Sequence, residues 1–221
     1  MKNLQGSFRR NPGFFIGYLL FFFVLLAFCL LTGKTAGFLY INSFHNRISD
    51  DFFILITNIG NGLFIIIIIA WMLIRRKKVW AWQTGISFLT SGLIVQIGKH
   101  AIYSPRPSAF FQSKASIHLL QGITCTGNSS FPSGHTASVF ALATLLSLYS
   151  SDKRWGILYL SIAFLAGFSR IYLSQHFPVD VLVGSAIGVL VSVFIYCLLP
   201  SGIFEKKSAG SSWMFQSIKL H

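Results

Sequence analysis

Negative charge is nearly missing from this chain. Asp and Glu number five in 221 residues, against eighteen Lys and Arg and six His. Charged residues of both signs make up 10% of the chain, where a soluble domain carries about 25%. That shortage argues against an ordinary soluble domain. It also leaves few carboxylates for two-metal hydrolysis, which needs several to hold its ions. The five are Asp50, Asp51, Asp152, Asp180 and Glu205, scattered along the chain except for the first pair. Cysteine is scarce as well. Three cysteines cannot form a disulfide framework. Cys29 and Cys197 sit in apolar runs, where a thiol packs as a small hydrophobe, and Cys125 stands alone in a polar stretch.

Apolar surface fills the space that charge leaves. Hydrophobic residues make up 53% of the chain and aromatic residues 16%. Residues 14–31, 52–74, 79–98, 136–151, 155–169 and 181–203 contain no charged side chain. A helix needs about 20 apolar residues to cross a bilayer, within a working range of about 17–25. The expected fold class is therefore all-α: a polytopic membrane protein with six transmembrane helices, forming a single domain over residues 1–221. The fourth and fifth runs are short, so their helices should extend into the polar flanks. The first run exceeds the roughly 7–15 residues of a signal-peptide core, and no small-residue cleavage pattern follows it. It is expected to be a retained helix.

The net charge of +13 raises the question of nucleic acid. The basic residues fall in short clusters between apolar runs, however, with no basic face or nucleic-acid motif, so no nucleic-acid partner is expected. Their placement reads as topology. Lys2, Arg9, Arg10, Arg75, Arg76, Lys77, Lys78, Lys153, Arg154, Lys206, Lys207 and Lys219 all fall on one side of a six-span chain. By the positive-inside rule that side is cytoplasmic, with both termini there. Gly184 and Gly188, and Ala163 and Gly167, have the spacing that lets helix backbones approach closely inside a bundle.

Lys99 and Arg106 end the third run, Ser133, Gly134 and His135 begin the fourth, and Arg170, His176 and Asp180 join the fifth to the sixth. All three groups belong to the extracytoplasmic face. Fixed cations with so few acidic partners repel one another unless an anion lies between them. Guanidinium groups match phosphate oxygens in a bidentate fork, and Lys adds a point charge. Ser133 and Gly134 fall where a helix starts after Pro132, and free backbone N–H groups there favour an anion.

Two histidines add chemistry to such a cradle. One imidazole can attack phosphorus, and the other can protonate the leaving oxygen and then activate water. Asp180, four residues after His176 across the turn at Pro178, is placed to fix the tautomer of that ring. Taken singly, a membrane-edge Arg snorkels and a lone His packs. Gathered on one face, intramembrane ionisable groups mark function. His45, His100, His118 and His221 receive no role on this reading.

Lys99-x6-Arg106-Pro107, Pro132-Ser133-Gly134-His135 and Ser169-Arg170-x5-His176-x3-Asp180 together resemble the three-part signature of the type 2 phosphatidic acid phosphatase (PAP2) superfamily. Order and spacing match without a departure. The resemblance covers about residues 52–199, and the first helix fits six-span members. It implies a PAP2-type helical bundle and a metal-independent phosphatase without cofactor, acting on lipid phosphates. Carried over by position, His176 is the nucleophile, Asp180 its orienting group and His135 the general acid. Lys99, Arg106, Ser133, Gly134 and Arg170 bind phosphoryl oxygens. The same signature serves soluble vanadium haloperoxidases, against which the apolar runs argue.

The expected partners are the bilayer and a membrane lipid phosphate, with no obligate protein partner. Polyprenyl pyrophosphate, phosphatidic acid, phosphatidylglycerol phosphate and lipid A are all open as substrates. For a bacterial source, undecaprenyl pyrophosphate and the inner membrane are the expectation. Residues 99–131, with Phe110 and Phe111, are expected to form an extracytoplasmic lid. The alternative is a non-catalytic lipid-phosphate binder or transporter using the same cradle. Two histidines and Asp180 speak against it, since binding alone needs only the cations.

Overall fold

A computed structural model describes residues 4–112, 116–120 and 129–199. Among the described residues every regular element is helical. In chain order these are α1 (Leu4–Arg10), α2 (Pro12–Ser43), α3 (Arg47–Ile56), α4 (Gly62–Ile74), α5 (Lys78–Ala101), α6 (Pro107–Phe111), α7 (Gly134–Tyr149), α8 (Arg154–Tyr172) and α9 (Pro178–Leu198). A 3₁₀ turn, Thr57–Gly60, joins α3 to α4. Lys114, Cys125, Glu205 and the basic residues of the C-terminal tail lie outside the described residues.

Three helices, α2, α8 and α9, are long and apolar enough to cross a membrane. The pair formed by Arg47–Gly60 and Gly62–Ile74, bent by 54°, makes a fourth candidate if taken as one broken span. Helix α5 has 24 residues, about 36 Å at helical rise, and α7 is a shorter apolar helix of 16 residues.

Neither the first apolar run, 14–31, nor the second, 52–74, corresponds to one straight helix of its own length. In the first, α2 starts at Pro12, where the Asn11 side chain accepts the Phe14 N–H at 3.3 Å. It is broken at Gly33, whose φ of 72° lies in the left-handed region that glycine tolerates. The run 52–74 stops at Ile56 and restarts at Gly62. Asn61 caps the second piece by accepting the Leu63 N–H at 3.2 Å. The physical reason is local: Asn58, Gly60, Asn61 and Gly62 favour turns over helix.

Helix α7 sits at the centre, packed against α5, α8 and α9. Its backbone approaches that of α9 because Gly184 and Gly188 carry no side chain. A Cβ on Gly184 would lie 2.5 Å from the Ser133 carbonyl oxygen, and one on Gly188 would lie 2.4 Å from that of Ala137. The small-residue spacing read from the sequence thus serves packing within the bundle. Gly167 contributes on α8, where its Cβ position is 3.4 Å from both Thr136 and Val181.

Aromatic packing closes the end of the bundle that bears the α8–α9 junction. Phe111 of α6 is buried and stacks on Phe38 of α2 with ring centroids 5.3 Å apart. Phe38 in turn meets the edge of Phe177 at 5.4 Å. The segment after α5 is therefore pinned to the α8–α9 junction.

Candidate active site

Helices α7 and α9 begin side by side. The Ser133 N–H donates to the Asp180 carbonyl oxygen at 3.0 Å. This brings His135, in the first turn of α7, next to the histidine preceding α9. Ser133 caps α7, its Oγ accepting the Thr136 N–H at 3.4 Å and the Thr136 hydroxyl at 2.9 Å. Pro178 occupies the first turn of α9, where a missing N–H costs nothing.

These helix ends open on a cavity of about 740 Å³ whose lining includes Lys99, Arg106, Gly134, His135, Arg170 and His176. Six of the eight residues singled out in the sequence thus share one cavity. Ser133 and Asp180, both fully buried, stand behind its wall. Among the described residues, no three His, Cys, Asp or Glu side chains group as metal ligands would.

Both arginines of the cavity donate to neutral acceptors. Arg106 Nη1 donates to the Gln175 carbonyl oxygen at 3.1 Å, and Arg170 Nη2 to Gln175 Oε1 at 3.2 Å. Arg170 Nη1 donates to Thr57 Oγ1 at 2.7 Å. Gln175 therefore positions both guanidinium groups, and the break between α3 and α4 supplies the third contact. Gly60, in the same break, lies so close to α7 that a Cβ would sit 3.0 Å from the His135 carbonyl oxygen. The α8–α9 turn folds back on itself, with the Gln175 and His176 N–H groups both donating to the Arg170 carbonyl oxygen at 2.9 and 3.0 Å.

His176 is 2% exposed and Asp180 fully buried. Their closest approach, Nδ1 to Oδ2, is 3.5 Å. Ser130 intervenes: its Oγ lies 3.3 Å from His176 Nδ1 and donates a short hydrogen bond to Asp180 Oδ2. The same carboxylate oxygen accepts the Phe177 N–H at 2.9 Å. Burial pushes the His176 imidazole down to about 4, against a smaller upward pull from Asp180, with Arg170 and Arg106 adding to the fall. The ring is consequently neutral at neutral pH. With Nδ1 turned to Ser130 and Asp180, Nε2 is the nitrogen left for the cavity.

Sequence reasoning missed Ser130, Gln175 and Thr57. Gln175 was open to discovery as the neighbour of His176 in a short polar turn. Thr57 sits in a run that reads as uniform membrane helix. Sequence reasoning also gave no role to His45 and His118, whose rings stack with centroids 4.0 Å apart.

Comparison with known proteins converges on one family. Undecaprenyl-diphosphatase BcrC of Bacillus subtilis is 28% identical over 159 residues, spanning 70% of this chain and 76% of that protein. Bacitracin transport permease protein BcrC of Bacillus licheniformis is 40% identical over 73 residues, which span 33% of this chain and 35% of the relative. The crystal structure of Aquifex aeolicus LpxE superposes with a TM-score of 0.65 at 28% identity, covering 73% of this chain and 93% of that one. The PAP2-type phosphatidylglycerolphosphate phosphatase of Bacillus subtilis gives a TM-score of 0.59 at 26% identity, over 86% of this chain and 96% of that one. The model of the PAP2 superfamily matches residues 80–202, from the start of α5 past the end of α9 and through every residue of the cavity's cationic and histidine lining, and the chain belongs to that superfamily.

Proposed function

We propose that this protein is a metal-independent phosphatase that removes a phosphoryl group from a membrane lipid phosphate or diphosphate. One observation carries the reading: Lys99, Arg106 and Arg170 line the same cavity as His135 and His176. Three cations and a helix start supply a seat for phosphoryl oxygens. Two imidazoles supply a nucleophile and a proton donor. A binder needs the first set alone, so the buried His176–Ser130–Asp180 arrangement favours catalysis.

In the first step His176 Nε2 forms a bond to phosphorus while the bond from phosphorus to the lipid oxygen breaks. His135 gives that oxygen its proton. In the second step water attacks phosphorus, its proton passes to His135, the N–P bond breaks, and inorganic phosphate leaves. Lys99, Arg106, Arg170 and the Gly134 N–H stabilise the charge on the equatorial oxygens in both steps. The ring of His176 carries positive charge while phosphorylated, and Asp180 offsets it.

The relatives point to the substrate class. Their names specify undecaprenyl diphosphate and lipid A, and the structural neighbour from Bacillus subtilis acts on phosphatidylglycerolphosphate. A polyprenyl diphosphate in a bacterial inner membrane is our reading for this chain. Counting α2, the broken α3–α4 pair, α5, α7, α8 and α9 as spans gives six. The 75–78 basic cluster then lies in the cytoplasm and the cavity on the extracytoplasmic side. The described parts of the 99–131 segment, residues 99–112, 116–120 and 129–131, would cover the headgroup there.

The decisive measurement is inorganic phosphate release by the purified protein in detergent, using short-chain lipid phosphates and diphosphates. The expected activity survives EDTA, is inhibited by vanadate, and is lost in His176→Ala. Full activity in that variant would remove His176 as nucleophile, and loss of activity with EDTA would favour a metal mechanism.

A further inference from the structure

We infer that the Ser130 hydroxyl is the positioning group that sets the tautomer of His176, standing between the imidazole and Asp180. This rests on the phosphatase reading above. Ser130 lies three residues before Ser133, outside the residues that carry the family resemblance, and is fully buried.

Donor and acceptor counting gives the role. Ionised Asp180 can only accept, and a serine hydroxyl has one proton to give. That proton goes to Asp180 Oδ2 in the short hydrogen bond between them. Ser130 Oγ can then only accept along its 3.3 Å contact with His176 Nδ1, so Nδ1 must hold the ring proton. Nε2 is left with its lone pair, as attack on phosphorus requires. Ser130 Oγ is the nearer of the two oxygens to Nδ1, at 3.3 Å against 3.5 Å for Asp180 Oδ2, and it stands between the ring and the carboxylate.

Ser130 is itself fixed from behind. Its N–H donates to the Ser104 carbonyl oxygen at 2.6 Å. Ser104 Oγ accepts from Lys34 Nζ at 2.8 Å, and that ammonium lies 4.3 Å from the centroid of the Phe177 ring. Lys34 follows Gly33, where α2 is broken. The break lets a cation of the first long helix brace the segment between Lys99 and Arg106 and, through it, the serine. Lys34, Ser104 and the turn bearing His176 and Asp180 thus hold Ser130 from three other parts of the chain.

During phosphoryl transfer the ring gains positive charge as Nε2 bonds to phosphorus. The Nδ1–H then donates more strongly to Ser130, whose own proton is drawn further toward Asp180. No proton leaves the group: the hydroxyl passes the carboxylate's field to the ring. Loss of the hydroxyl should therefore slow chemistry while leaving the cationic cradle intact.

The test compares wild type, Ser130→Ala and Ser130→Thr as full-length protein in detergent, reading kcat, KM, the pH profile and thermal unfolding. Ser130→Ala is expected to lower kcat by about a hundredfold, the scale of a misplaced proton-transfer partner, with KM unchanged. Ser130→Thr, which keeps the hydroxyl, should recover most of the rate. The acid limb of kcat/KM should move to lower pH in Ser130→Ala, because the imidazolium loses its acceptor. Should Ser130→Ala not fold, Ser130→Cys keeps the size with a much weaker donor and carries the same expectation. The inference is overturned by wild-type kcat in Ser130→Ala, by Ser130→Thr no faster than Ser130→Ala, or by a rate loss that only tracks a loss of folded protein. No phosphate release by the wild-type protein would instead overturn the phosphatase reading itself, and activity retained in His176→Ala would remove His176 as the nucleophile.

Discussion

The Ser133 N–H and the Asp180 carbonyl oxygen, 3.0 Å apart, tie the start of α7 to the start of α9. Neither group is catalytic in itself. Their bond sets the spacing between His135, two residues beyond Ser133, and His176, four residues before Asp180. Gly184 permits it, since only a residue without a side chain lets α9 come so near the Ser133 carbonyl.

Gly184→Ala is therefore predicted to damage both stability and rate. Its Cβ would lie 2.5 Å from backbone rather than from a side chain that could swing away. Overpacking of this kind costs about 1–3 kcal/mol. The two histidines should separate as the helices shift, so kcat should fall further than the loss of folded protein explains. Gly92→Ala is the comparison, because nothing lies within 4 Å of its Cβ position, and its thermal midpoint should hold or rise. Thermal unfolding in detergent, alongside kcat, reads both effects. A Gly184→Ala protein with wild-type midpoint and rate would sink the idea.

The His176 imidazole predicts the acid side of the pH profile. Burial first, then the nearby Arg170 and Arg106, depress it to about 4, with Asp180 opposing. Only the neutral ring attacks phosphorus, so kcat/KM should fall as pH drops through about 4. An unperturbed histidine, near 6.5, would place that limb higher. Stability follows the same sign. Between about 6.5 and 4 the unfolded chain takes up a proton at this position that the folded chain refuses, so stability declines as pH falls through that window. Arg170→Gln removes a cation that lowers the value and should shift the acid limb upward. An acid limb near 6.5 in wild type, unmoved in Arg170→Gln, would count against His176 as the attacking group.

Much of this site was legible in the sequence because its residues recur in three short, dense patterns. Six of the eight line one cavity, and the other two stand directly behind it. What escaped was long-range or hidden. Thr57 reaches Arg170 across 113 positions, from a stretch whose lack of charge masks the turn at residues 57–61. The Asn58-Ile59-Gly60-Asn61-Gly62 pattern did carry a turn signal, but hydrophobicity on both sides outweighed it. Ser130 is one serine among several in a polar loop, and only the folded chain shows which one faces the imidazole. Helix boundaries followed the uncharged runs in the second half of the chain. In the first half, the run 14–31 ends just before the break at Gly33, and what lay beyond it was the second piece of α2, which carries Lys34 and continues to Ser43.

The same limit hid a contact that fastens the segment after α6. His118 Nε2 lies 3.1 and 3.2 Å from the two oxygens of Asp50. The Tyr172 hydroxyl donates to Asp50 Oδ1 at 2.7 Å. Asn42 grips the backbone of His118, accepting its N–H at 2.8 Å and donating to its carbonyl oxygen at 3.3 Å, while the Ser174 hydroxyl donates to that oxygen at 2.9 Å. Ser174 lies two residues before His176, so the fastening and the proposed nucleophile share one turn. Asp50→Asn keeps the shape but removes the charge. A hydrogen bond to a charged group contributes about 1.5–3 kcal/mol, so amide exchange over residues 116–120 should quicken by roughly tenfold or more. Global unfolding should move little, since the contact lies at the periphery. If the segment governs access to the cavity, kcat/KM for a long-chain lipid diphosphate should change more than for a short-chain one. Exchange at wild-type rates in Asp50→Asn would show that Asn42 and Ser174 hold His118 without the carboxylate.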